Sequence, residues 1–251
     1  MAEFPSILRE MKDLERSSMP PYADNDFGRT ININYDDNDG IFGCSTDNCL
    51  YSYGLSDELC YGSHAHTAQR DALLENLYSR KRKLYYLGQH LSARLADGTA
   101  AIEITSTDPT TPIRMSYHFT KWRVIVAYNC FWAMLILTNK LILKLIDPLD
   151  PYNTTLKEEC RATAYEICKT WEDAWASKPI GAFHTGLSFV VAHEFCSEEV
   201  QAWIVSRLNA LLDEQLVEVD MFRWSDEVIG LMSAKLAGEG LDLRFTQGKK
   251  K

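Results

Sequence analysis

His193 and Cys196 stand three residues apart in the stretch VVAHEFCSEE. On a helix that spacing places both on one face. An imidazole there can take the proton of a thiol and leave a nucleophilic thiolate. No neighbour in sequence is placed to orient the histidine. The plainer reading is a histidine at a helix end beside a core cysteine. Asp36, Asp37 and Asp39, in YDDNDG, gather the oxygen ligands that calcium and magnesium prefer. As a calcium loop the run fails. With Gly40 at the sixth position, Tyr35 and Thr46 fall where the first and twelfth positions need carboxylates. The run reads as a solvated acidic loop, with a metal site as the alternative.

Cys44, Cys49 and Cys60, with His64 and His66, form a scattered set of zinc-type ligands, but no pair has Cys-x-x-Cys spacing. Cys130, Cys160 and Cys168 fall in apolar helical patterns and read as small core residues. Arg80, Lys81, Arg82 and Lys83 form a run of four basic residues. It reads as a solvated band on a helix, with a nuclear-localisation signal as the alternative. There is no glycine-rich phosphate loop, no Gly-x-Ser-x-Gly and no His-Glu-x-x-His. The sequence therefore assigns no catalytic, cofactor-binding or metal-ligating residue, and no cofactor is expected.

The elements that must position these residues are mostly helices. Residues 66–96 carry Leu73, Leu74, Leu77, Leu84, Leu87, Leu91 and Leu95 at mostly three- and four-residue spacings, with Gly98 as the stop. Residues 97–116 read as a loop, and a long apolar helix is expected from about Tyr117 to Ile146, ended by Asp147-Pro148. Thr155 and Glu158 match a capping box. Leu156, Cys160, Ala164, Ile167, Trp171 and Trp175 would line one face of the helix that follows. SKPIGAF breaks it, and residues 184–196 resume a helix. Ser197 with Glu198 and Glu199 opens another, with Val200, Trp203, Ile204, Leu208 and Leu211 as its stripe. Ser225, Asp226 and Glu227 open a last helix holding Val228, Ile229, Met232 and Leu236. Strand signals are sparse: TININY, with Ile31 and Ile33 on one face, and AIEIT at 101–105 as its candidate partner. Phe4, Ile7, Leu8, Met11 and Leu14 suit a short amphipathic helix. An all-α, irregular multi-helix bundle with a long central helix and little or no strand follows. Its divisions are residues 1–56, a short helix and irregular acidic segment, 57–240, the helical domain, and 241–251, a loose tail.

The long helix, KWRVIVAYNCFWAMLILTNKLILKL at 121–145, raises the question of a membrane. Val124 to Asn139 is sixteen residues without a formal charge. As a helix it spans roughly 24 Å, against about 30 Å of hydrocarbon. Lys121, Arg123, Lys140 and Lys144 bracket it, and a core helix of an all-helical domain is the better reading. The 26 Lys+Arg against 35 Asp+Glu leave a net charge of −9, which repels phosphate backbones. No membrane and no direct nucleic acid are therefore expected as partners. Seven cysteines, an odd number, and no leader-like start imply free thiols in a reducing compartment, nucleus or cytoplasm. Asn153-Thr154-Thr155 matches the glycosylation pattern, which is idle there.

Several stretches together resemble one family. KWRVIVAYNCFWAMLILTNKLIL resembles the long helix of the fungal-specific transcription factor domain. EECRATAYEICKTWEDA resembles its next helix, and PIGAFHTGLSFVVAHEFCSEEVQAWIVSRLNALL the segment after that. YGLSDELCYGSHAHTAQRDALLENLYSRKRKLYYLGQHL resembles the leucine-rich helix upstream. The resemblance spans roughly residues 54–236. It implies an all-α regulatory region that in the family follows a six-cysteine zinc cluster and sometimes senses metabolites. Cys44, Cys49 and Cys60 do not supply that cluster. A regulatory or ligand-sensing domain without autonomous DNA binding is the expectation, acting with a protein partner or as a homo-oligomer, with a small apolar metabolite as ligand. The alternative is an all-α enzyme acting on a small apolar or isoprenoid metabolite in an interior cavity, with Asp36, Asp37 and Asp39 as metal ligands.

Overall fold

The computed structural model describes residues 57–178, 180–215 and 223–238. In chain order they form α1 (Asp57–Ala96), β1 (Ala101–Thr105), β2 (Met115–Phe119), α2 (Trp122–Leu145), α3 (Pro151–Cys168), α4 (Trp171–Ala176), α5 (Ile180–His193), α6 (Glu198–Gln215) and α7 (Asp226–Leu236). Among the described residues the fold is all-α apart from one two-stranded antiparallel hairpin. The expected N-terminal helix at Phe4–Leu14, the strand TININY and the tail at 241–251 lie outside the described residues.

α2 is the centre. It packs on α1, α3 and α5, and every residue from Leu135 to Ile142 is buried. A helix hydrophobic on all sides must be enclosed on all sides, because each buried Leu or Ile contributes about 1.5–3 kcal/mol. By length and composition the helix could cross a membrane, yet 72% of its apolar window is buried inside the fold. One core is aromatic. Tyr117, Phe119, Tyr128 and Trp132 pack at its hairpin end. Trp171 stacks on Trp175 with centroids 5.0 Å apart, and meets Phe189 and Trp203. A second, aliphatic core joins Leu73 and Leu77 to Leu141, Ile142, Leu145 and Leu156.

The expected stripe of α6 is in place: Val200, Trp203, Ile204, Leu208 and Leu211 are all buried. Leu156, Cys160, Ala164 and Ile167 are buried on α3, but the single helix expected through Trp175 is two: α3 ends at Cys168, and α4 carries Trp171, buried, and Trp175, half-buried. Gly98, at φ +73°, ends α1 where a left-handed residue is needed. Ser225 caps α7, accepting from the Val228 amide at 3.3 Å. Met232 on α7 and Leu87 on α1 are exposed rather than buried, each lining an open groove between helices.

Four further expectations need correction. Residues 97–116 are not all loop: AIEIT is a strand, but its partner is Met115–Phe119, with Ala101 opposite Phe119 and Thr105 opposite Met115. The long helix consequently starts at Trp122, after an extended Lys121 at φ −154°. Residues 117–119 read as its first turn because their aromatics run straight into the apolar stretch. The hairpin is held by α4. Asp173 accepts from the Phe119 amide at 2.9 Å, and Glu172 accepts from Ser106, Thr107 and Asp108. The start of α3 is not the Thr155–Glu158 box. Asp150 is the cap, accepting from the Tyr152 amide at 2.8 Å, with Pro151 pre-set for the first helical position. Finally, α5 begins at Ile180 rather than 184, since Gly181 already bonds back to Ser177.

Replacing Asp150 by Ala should lower unfolding stability by about 1 kcal/mol, and replacing Thr155 by Ala should lower it by less than about 0.5 kcal/mol. Urea denaturation of the two variants measures this. The reverse order would restore the box at Thr155.

Candidate functional site

α5 is apolar on two faces. Ala182, Thr185, Phe189 and Ala192 point into the fold. Phe183 and Leu187, one turn apart, are 61% and 56% exposed. Beside them lies a groove of about 530 Å³, walled by α2 (Ala133, Met134, Leu137), α5 and α6 (Leu208, Leu211, Leu212), with Trp224 and Met232 at one end. Its lining holds no Asp, Glu, Lys or Arg; the polar side chains there are His184, Ser188 and the weakly polar Cys130. A second apolar groove, about 400 Å³, runs between α1 and α2 along Leu84, Leu87, Leu91 and Phe131, with Arg80 and Lys83 at its end. Cys130 and Met134 line both. Gly88 brings α1 down on Phe131: a Cβ there would sit 2.3 Å from the ring.

Hydrogen bonds join α2 and α5, two walls of the larger groove. Asn129 on α2 is 1% exposed. Its amide donates to Thr170 Oγ1 at 3.1 Å and lies 3.5 Å from Thr185 Oγ1. Those hydroxyls donate to Ile167 and Gly181 carbonyls, at 2.7 and 3.2 Å. Ser188 donates to the Asn129 carbonyl at 3.3 Å. Its hydroxyl proton is therefore committed to the fold, and the groove offers a ligand mainly apolar contact.

His193 and Cys196 are not brought together as an acid–base pair. His193 Nε2 is 2.9 Å from Asp226 Oδ1 on α7, and the Cys196 thiol donates to the Ala192 carbonyl at 3.4 Å. Asp226 is the orienting carboxylate that local sequence lacks, and it stands 33 residues away. The pair acts as a fastener. With Lys140, which reaches Ser233 at 3.0 Å and also Glu194, it holds α7 to α5 and α2. The basic cluster is not one solvated band. Lys81 is 5% exposed, 2.6 Å from Glu159 and between the rings of Tyr85 and Tyr152. The turn of the helix aims it at α3, while Arg82 stays outside with Glu75 at 2.9 Å.

Asp36, Asp37 and Asp39, and Cys44 and Cys49, lie outside the described residues. Cys60, His64 and His66 fall in the first turns of α1. Among the described residues no group of three or more His, Cys, Asp or Glu could hold a metal ion.

Sequence reading missed one cluster. Tyr117, Glu103 and Glu166 line a cleft of about 550 Å³ beside Trp132. Lys169 pairs with Glu103 at 2.9 Å and Glu166 at 2.8 Å, and the Tyr117 hydroxyl donates to Glu166. The members come from β1, β2 and α3, so only the unpredicted hairpin assembles them. Lys169 is shared between the two carboxylates. Burial, then the hydrogen bond to Glu166, pushes the Tyr117 phenol well above its usual value. Burial raises Tyr128 and Tyr78 as well.

Below about pH 10 these phenols are neutral in both states. Above it the unfolded chain loses protons that the fold retains, so stability should fall as pH rises through that value. Replacing Tyr117 by Phe should flatten the fall, measured by urea unfolding between about pH 9 and about pH 11. An unchanged slope would show that Tyr117 titrates as an exposed phenol. In comparison with known proteins, no protein-family model, no curated protein and no solved structure matches this chain.

Proposed function

We propose that this chain is a ligand-sensing regulatory domain of the fungal-specific transcription factor type, without autonomous DNA binding. The observation that carries the sensing part is the groove between α2, α5 and α6. Its volume, about 530 Å³, is in the range of small-molecule sites. Its walls are apolar, and two large side chains, Phe183 and Leu187, stand exposed beside it. The ligand this suits is a small apolar metabolite. Isoprenoid diphosphate chemistry needs cations to stabilise developing phosphate charge, and the groove lining has none. That absence weighs for a sensor over an enzyme. The transcription-factor part is supported by the sequence resemblance over residues 54–236. The net charge of −9 supports an output passed to a protein partner rather than to nucleic acid.

The neutral dye Nile red should bind the full chain saturably. Replacing Leu187 by Asp should weaken that binding at least about tenfold, since the ligand would then desolvate a carboxylate. Leu187 is half exposed, so the variant should keep its helical circular dichroism. Unchanged affinity in the variant would remove the groove as the site. Magnesium-dependent turnover of a prenyl diphosphate would replace the sensor with an enzyme.

A further inference from the structure

The smaller groove, between α1 and α2, is not apolar along its whole length. Tyr128 donates to the Leu91 carbonyl at 2.6 Å, and Leu77 shares a core with Leu141 and Leu145, so the two helices run antiparallel. Arg80, Lys83 and Thr138 therefore stand at one end of the groove, and Leu91 and Ala127 at the other. From residue 80 to residue 91 α1 rises roughly 16 Å. Between the ends the walls are Leu84, Leu87, Phe131 and Met134. The Thr138 hydroxyl is committed to the Met134 carbonyl at 2.8 Å, so the polar end is defined by its two cations. Arg80 Nε donates to Asn76 at 3.0 Å, which holds the guanidinium at that end. Lys83 is exposed and makes no hydrogen bond or ion pair among the described residues. The lining carries no Asp or Glu, in a chain whose net charge is −9.

We propose that this groove binds a free alkyl carboxylate, with the carboxylate at Arg80 and Lys83 and the alkyl chain along Leu84, Leu87 and Leu91 against Phe131. The two halves of such a ligand match the two halves of the groove. A guanidinium presents its donors in a planar fork that fits a carboxylate, and Lys83 adds a point charge of the same sign. The leucine walls reward each methylene that leaves water and give a polar chain nothing in return. A neutral apolar molecule would use the walls and leave the cations unanswered. A small inorganic anion would use the cations and leave the walls wet. The occupant thus differs in charge from the one proposed for the larger groove. The two grooves share only Cys130 and Met134, so each reading stands or falls by itself.

Calorimetric titration of the full chain with decanoate tests this. Decanoate should bind saturably, and more weakly as sodium chloride is raised, because its headgroup meets exposed charge. Replacing Lys83 by Glu should weaken it at least about fivefold, since attraction at an exposed position becomes repulsion. Replacing Leu87 by Asp should weaken it at least about tenfold, since the chain would then desolvate a carboxylate. Lys83 is exposed and Leu87 is 66% exposed, so both variants should keep their helical circular dichroism. Should Leu87→Asp fail to fold, Lys83→Glu and the salt dependence still decide. Replacing Leu187 by Asp, in the larger groove, should leave decanoate affinity unchanged, which separates a failure here from a failure there. Absence of decanoate binding would overturn the proposal, as would unchanged affinity in Lys83→Glu, or a loss in Leu187→Asp without one in Leu87→Asp. Cosedimentation with phosphatidylglycerol vesicles without binding of free decanoate would assign the two cations to a lipid surface and overturn it equally.

Discussion

A helix as apolar as α2 can be enclosed only if the polar groups it carries inward find partners, and that constraint orders the rest of the fold. Asn129 is the clearest case. Leaving its buried carboxamide unbonded would cost about 1–3 kcal/mol. Its bonds with Thr170, Thr185 and Ser188 instead join α2 to the α3–α4 corner and to α5. Lys140, one helical stretch further on, is 8% exposed and is answered by Glu194 and Ser233, which brings in α7. Asn139 is the exception. It is fully buried, and neither its side-chain nitrogen nor its side-chain oxygen has a hydrogen-bond partner among the described residues. Two polar anchors along one apolar helix thus set the register of its neighbours, which apolar contact alone specifies loosely.

The same arrangement accounts for the groove. α5 is pinned by the face that holds Thr185, Ser188 and Phe189, so Phe183 and Leu187 are turned outward. α6 packs on α5 through its own stripe and leaves Leu211 and Leu212 beside the gap. An apolar face left over in this way is a common mark of a binding surface. The Tyr117–Glu166–Lys169–Glu103 cluster is closed on itself, and His193 is spent on Asp226.

What the sequence made legible was local. The stripe from Val200 to Leu211 and the cap at Ser225 depend on spacing within a few residues, and both are where they were expected. The long apolar helix was equally readable, apart from its first turn. Misreadings came where two local signals competed. Thr155 and Glu158 matched a capping box, but Asp150-Pro151 four residues earlier starts the helix more strongly. Aromatics at 117–119 matched the apolar helix that follows them, while their pairing with β1 depends on a partner more than ten residues back. The remaining misses are long-range by nature. Nothing beside Lys81 foretells Glu159, and nothing beside His193 foretells Asp226. The groove itself was foreshadowed only by α5 being apolar on more faces than one core can bury.

Carbene labelling with a small apolar diazirine tests the central claim most directly, because it asks where an apolar molecule sits without assuming its identity. Leu149 and Tyr86, 90% and 76% exposed, report labelling by exposure alone. If the groove is a binding site, label should concentrate on peptides holding Met134, Leu187 and Leu211, well above those holding Leu149 and Tyr86. Label that follows exposure, heaviest at Leu149 and Tyr86, would contradict the account.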